Sequence, residues 1–553
     1  MPERVGLPGT EQPPGGRPLG PLSAAQARQS VEVTLWLREP PGRPSLARVL
    51  DAISADPPGR RRHLSVAELA AAHGSLPEDE AAVAAWVREA GLEVVDRERA
   101  TRRLRIRGSA ARVAAALGVS FDMREAEGPG GRTVRYRHHA GAASIPTHLA
   151  GIVEHVSGLS TRPVARPHHV IARAANVRAA YTPEQLAAVY GFPALPGGGA
   201  AAAIDLGIAE LGGRADPAVV RWFEQLHPNV RIIEEGVGGG ALPAPDPGGA
   251  DVEVALDWQV AARALLVSAP RASIRIVLRY APNTDQGFAD LWASFATDTT
   301  HRFSGISTSW GSPEDTWTAG QMAAMDSAAK ACLAVGIFHC AASGDRGATD
   351  GSPDGSLQAD HPASSPDVLA AGGTRLTLSD GVVAEEVVWN EAALSEGATG
   401  GGVSGQFGVP AYQSSNGVLE VSLGSGRPGR SEPDLAVNAD PVTGYVVVTG
   451  LGASGAPRLL TVGGTSAAAP LVAAGFAAVS ALLGARLGRI QDAVYPLGRA
   501  GTAFRDVTQG DNAYPAGGEG YRAGVGFDVP SGWGSPHFVR LAEAFRSAGA
   551  VGG

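Results

Sequence analysis

Apolar and polar residues alternate along Val31-Glu32-Val33-Thr34-Leu35-Trp36-Leu37, which predicts a strand with one buried face. Helical spacing follows at 64–73 and 78–90, with Ser65 positioned to cap the first helix. Residues 92–95, 103–107 and 119–123 read as strands, and 109–117 as a short Ala-rich helix. Elements of these lengths predict a small antiparallel sheet with helices on one face. The Pro/Gly-rich stretch 1–20 is expected to be a disordered tail. Residues 161–178, rich in Pro, Arg and His, are expected to be an exposed linker open to cleavage.

The pattern changes after Tyr181. Thr182 can cap a helix whose first position is Pro183. Short apolar strands at 201–204, 274–278, 305–309 and 336–342 are separated by helical stretches at 252–266, 288–297 and 319–333. This alternation predicts a doubly wound, mostly parallel α/β sheet, with its site at the C-terminal strand ends. The domain reading is 1–20 tail, 21–160 small α+β domain, 161–178 linker and 179–553 large α/β domain.

Composition adds limits. At 553 residues the chain exceeds one ordinary domain, and 74 glycines and 40 prolines predict many loops. No apolar run is read as a membrane span. The first 20 residues lack the charged-then-apolar layout of a signal peptide. Cys332 and Cys340 fit neither a zinc pattern nor a disulfide framework. Residues 1–170 hold 23 arginines against 18 acidic residues, about +5, and the remainder is about −14, which returns the net −9. The two parts should attract each other at neutral pH. The basic residues are scattered, so no nucleic-acid partner is expected.

Candidate chemistry begins at Gly463-Gly464-Thr465-Ser466-Ala467-Ala468-Ala469-Pro470. A Gly-Gly-Thr turn running into small residues can present a serine hydroxyl at a helix start, with free N–H groups facing an oxyanion. Glu253 and Asp257, at i and i+4 of a helix, share one face, and repulsion favours a proton on one of them. Asp345 lies between glycines just past a strand end. A Ser/His/Asp hydrolase would need a histidine, and none of the thirteen stands in a suitable setting. Carboxylates must then take its place.

The ordered set Glu253-Val254-Ala255-Leu256-Asp257, Ser309-Trp310-Gly311, Ser343-Gly344-Asp345 and Gly463-Gly464-Thr465-Ser466 resembles the sedolisin family of serine-carboxyl peptidases, nearest its kumamolisin branch. The resemblance implies a subtilisin-like fold from about Tyr181 onward. It implies Ser466 as nucleophile, Glu253 as general base, Asp257 as its support and a protonated Asp345 at the oxyanion. Trp310 matches a family Trp that meets a further Glu, and here both Asp205 and Glu210 are candidates for that acid. Arg346 stands where the family usually has Ser, and Asp360 is a candidate subsite wall.

Arg505-Asp506-Val507 with Ala523-Gly524-Val525-Gly526-Phe527-Asp528 resembles the family's calcium loop, within 505–536. The implied cofactor is one structural Ca2+, on the Asp506 and Asp528 side chains and the Val507, Gly524 and Gly526 carbonyls. Residues 21–160 resemble the activation propeptide, a ferredoxin-like lid that blocks the cleft until it is cut off within 161–180. The implied whole is the zymogen of an acid-active, secreted, monomeric endopeptidase acting on proteins and peptides, with its own propeptide as inhibitor and no membrane partner. A tripeptidyl-peptidase of the same family and a silent scaffold are the alternatives. Acid is expected to loosen the propeptide by protonating interfacial carboxylates.

Overall fold

The computed structural model describes residues 3–12, 15–128, 131–247 and 249–547. Its central sheet has eight strands. Seven run in the order Val230–Gly236, Ser273–Tyr280, Ala203–Glu210, Phe303–Thr308, Phe338–Ala342, Leu369–Ser379 and Val382–Val388, and Leu435–Asn438 also joins Leu369–Ser379. All pairings are parallel except that of the Leu369–Ser379 and Val382–Val388 hairpin. A parallel sheet needs cover on both faces. Helices Ala250–Ser268 and Thr465–Leu483 pack on one face with Ile204, Leu206 and Ile274. Helices Asp285–Ala296 and Ala319–Ala334 cover the other with Val277 and Ile306.

Helix Thr465–Leu483 corrects one expectation. Its 19 residues are long and apolar enough to cross a membrane, but 83% of its most apolar 18-residue window is buried inside the protein. Short residues let it run through the middle of the core. Cys332 and Cys340 are buried free thiols.

The N-terminal domain holds a four-stranded antiparallel sheet, Glu93–Glu98, Arg103–Ser109, Ser30–Leu37 and Val153–Ser157. Ser65 caps helix Val66–His73 through a reciprocal bond pair with Glu68. A helix, Leu46–Ser54, and a hairpin, Ser120–Glu127 with Thr133–Ala140, exceed what the sequence pattern predicts.

Two further expectations are corrected. The stretch 1–20 is not a free tail where it is described. Arg4–Gly6 pairs antiparallel with Ser144–Pro146, Leu7 is buried and Arg17–Pro21 pairs with Ser120–Glu127. Met1, Pro2, Pro13 and Pro14 lie outside the described residues. The linker is not an open one either. Arg166–Pro167 pairs with Trp310–Pro313, and Val170–Ile171 pairs with Pro457–Gly463. In both places another strand offers an unpaired edge, which local composition does not register.

The two domains share apolar surface. Trp36, Leu46, Leu50 and Leu69 join Trp292 and Met325 in one buried cluster. Polar contacts ring it. Arg103 pairs with Asp290 at 2.5 Å, Arg489 pairs with Asp51 at 2.7 Å, and the Leu64 N–H donates to Ala334 O at 2.8 Å. Trp292→Ala is expected to destabilise the unprocessed Ser466→Ala chain by about 3–5 kcal/mol, read from its urea midpoint.

Candidate active site

Ser466 occupies the first turn of Thr465–Leu483, fully buried. Gly464 precedes it at φ +103°. A Cβ there would fall 2.3 Å from His168 O and 2.5 Å from the Asp345 carboxylate, so two oxygens crowd the same spot. Only glycine leaves room for both.

The carboxyls expected from the sequence converge on this turn. Glu253 and Asp257 are 0% exposed on helix Ala250–Ser268. Asp257 accepts from the Ser309 hydroxyl at 2.9 Å. Asp345 Oδ1 accepts from the Thr465 N–H at 2.7 Å and the Thr465 hydroxyl at 2.8 Å, while its Oδ2 has no hydrogen-bond partner. Trp310 Nε1 donates to buried Glu210 at 2.9 Å. This decides between the two acids flagged in the sequence, because Asp205 is held by Arg275 at 2.6 Å. Burial pushes the Glu253 pKa up to about 8, and its Oε1 has no hydrogen-bond partner to offset this. It pushes Asp345 up to about 7, against the Thr465 bonds. Burial, then the neighbouring Glu253 charge, holds Asp257 well above the usual carboxylate range.

The linker fills the cleft. His168 N donates to Ser309 O at 3.1 Å, and His168 O accepts from the Ser466 N–H at 2.8 Å. Upstream, Arg166 lies against Gly311, and downstream Val170 lies against Gly463. The His168–His169 peptide therefore crosses Ser466 with its carbonyl on a helix N-terminal N–H. His169 Nδ1 lies 2.6 Å from Glu253 Oε2, and the Ser466 hydroxyl donates instead to Ser309 O at 3.3 Å. A cavity of about 890 Å3 beside the linker is lined in part by Ala165, His169 and Trp310.

Comparisons with known proteins show the family. The pro-kumamolisin activation domain matches residues 21–162, and the subtilase family matches 269–485. The chain is 38% identical to kumamolisin of Bacillus sp. (strain MN-32), over 93% of this chain and 92% of that protein. It belongs to the sedolisin family of serine-carboxyl peptidases. It is also 29% identical to sedolisin of Pseudomonas sp. (strain 101), over 80% of this chain and 74% of that one. A solved Pseudomonas sedolisin, complexed with two molecules of pseudo-iodotyrostatin, matches at 27% identity and TM-score 0.56, covering 67% of this chain and 98% of that one. The chain is thus a sedolisin-family serine peptidase in its zymogen form, and its activation domain is an intramolecular inhibitor.

Among the side chains gathered at this turn, sequence reasoning assigns nothing to His168, His169 or Thr465. The histidines stand in what reads as a linker, and Thr465 reads as part of the turn. Among the described residues, side chains that could hold a cation converge in two places, His168 with Asp350 and Asp360, and Glu235 with Asp298 and His301. In the C-terminal loop, Asp506 Oδ2 accepts from Gly526 N–H and Asp528 Oδ2 from Gly524 N–H, both at 2.9 Å.

A carboxyl with a raised folded pKa keeps its proton where the unfolded chain has lost it. Its stabilisation is full below about pH 4 and is lost as pH rises through 7 to 8. Glu253→Gln and Asp345→Asn, each in the Ser466→Ala chain, are expected to flatten the fall in stability between pH 4 and 8. Urea midpoints measured across that range read the change.

Proposed function

We propose that the chain is the zymogen of an acid-active endopeptidase whose first substrate is its own His168–His169 bond. The carrying observation is the 2.8 Å hydrogen bond from Ser466 N–H to His168 O, with the Ser466 hydroxyl on the same turn. In this reading the Glu253–Asp257 pair holds a single proton, carried by Asp257, so that Ser466 Oγ attacks the His168 carbonyl carbon as its proton passes to the ionised Glu253. Asp257, held by Ser309, keeps Glu253 oriented. The oxyanion takes hydrogen bonds from Ser466 N–H and from a proton on Asp345 Oδ2. The intermediate collapses as Glu253 protonates the His169 nitrogen and the C–N bond breaks. Water, deprotonated by Glu253, then cleaves the acyl-enzyme ester.

Endopeptidase action is favoured over tripeptidyl release. The chain does not begin three residues before the His168–His169 bond, at Arg166. It continues through Val164 and Ala165, whose N–H groups donate to Asn283 at 3.0 and 3.1 Å.

His169 also supplies a reason for silence at neutral pH, since its contact engages the base away from the hydroxyl. Release in acid is supported by two histidines wedged between the domains. His63 abuts Gly336 and Gly488, and His155 abuts Gly320. Burial lowers both to about 4, helped at His63 by Arg61 and Arg486 and at His155 by His139. A base depressed in the folded state withdraws stability as pH falls from about 6.5 to 4.

For the C-terminal loop the reading is Ca2+ on Asp506, Asp528 and the Val507, Gly524 and Gly526 carbonyls. Burial raises Asp528 to about 6, and the Asp506 charge adds to this, which suits a hard cation held by oxygens. Export from the cell and a monomeric state belong to the same reading.

At pH 3–4, mass spectrometry is expected to find a cut between His168 and His169 that is absent in Ser466→Ala. Asp345→Asn should slow it about 10²–10³-fold. His169→Ala should allow cutting at higher pH. Intact Ser466-containing chain at every pH would sink the reading. His63→Gln with His155→Gln should move the pH midpoint of processing down by roughly half a unit or more, followed by gel densitometry.

A further inference from the structure

The pocket that receives the His168 side chain is unusual in its charge. Asp350 and Asp360 are 0% exposed and His168 is 1%. His168 Nε2 lies 3.0 Å from Asp360 Oδ2 without the geometry of a hydrogen bond. Both oxygens of Asp360, and Oδ2 of Asp350, likewise have no hydrogen-bond partner. One atom each from His168, Asp350 and Asp360 falls within 4.8 Å of the others. Arg166 compensates only one side, pairing with Asp350 Oδ1 at 2.8 Å. Glu432 stands behind, accepting from the Asp360 N–H at 3.2 Å. Arg346 also acts on Asp350 and His168, but no donor reaches the Asp360 oxygens or Asp350 Oδ2, and unpartnered polar atoms are costly at this depth.

We propose that the unprocessed chain binds one divalent transition-metal ion of the zinc class between His168 Nε2, Asp350 and Asp360. A nitrogen donor with two carboxylates suits Zn2+ better than calcium, which takes six to eight oxygens. The ligand set exists only while His168 lies in the cleft. The ion therefore pins the residue that donates the carbonyl to Ser466, and it must leave for the cleaved segment to depart. The second convergent group differs. There Arg279 pairs with both Glu235 at 2.7 Å and Asp298 at 2.5 Å, so its charges are already met.

The binding claim stands apart from the peptidase reading. The effect on processing rests on it. The full-length Ser466→Ala chain, saturated with Ca2+, is titrated with Zn2+ by calorimetry and with Co2+ by visible absorption. One ion per chain is expected, together with Co2+ bands of a nitrogen- and oxygen-ligated site. His168→Ala and Asp360→Asn should each weaken Zn2+ binding by at least about tenfold, and His301→Ala should leave it unchanged. No uptake would overturn the site in favour of a proton shared by Asp350 and Asp360. Uptake indifferent to both variants would overturn it too. In the Ser466-containing chain, one equivalent of Zn2+ should slow the 168–169 cut relative to chelator-treated protein. Binding without slowing would overturn the pinning. Failure of the chelator-treated chain to cut at all would count against the proposed function alone.

Discussion

The structure depends on burying carboxyl groups that no permanent cation neutralises. Glu253 and Asp257 are sealed in the core and Asp345 is 7% exposed, and the basic side chain in contact with Glu253 is His169, whose own pKa burial lowers. Their ionisation is costly, so burial pushes each toward its protonated form. The surrounding architecture serves this burial. Helix Ala250–Ser268 and helix Thr465–Leu483 pack closely because the latter is built from small residues, and this brings the i and i+4 carboxyls over the serine turn.

The N-terminal domain completes the arrangement from outside. It grips the two helices on the opposite face of the sheet through apolar contact, and its outgoing chain returns through the cleft as an added strand on both sides of Ser466. Inhibition therefore uses ordinary substrate geometry.

Much of this was legible in residue order. The strand and helix alternation of the α/β domain followed from apolar spacing. The four residues Glu253, Asp257, Asp345 and Ser466 stood out because short motifs fix them on helices and strand ends. Glu210 could not be separated from Asp205 in the sequence, since both are followed by Leu-Gly. The fold separates them by length, putting one at the strand start beside Arg275 and the other at its end beside Trp310. Residues 1–20 and 161–178 misled for a shared reason. Their order comes from edges supplied by distant strands, and such pairing leaves no local periodicity.

The return of the linker through the cleft has a consequence for dosage. While the chain is whole, the inhibitor faces its target at an effective concentration set by the tether, of order millimolar or above. One cut changes the order of the reaction. The domain becomes a separate molecule, held by its interface alone, and its grip then weakens with dilution. Crowded zymogen would stay restrained after scission, whereas the same molecules dispersed into a larger volume would become active together.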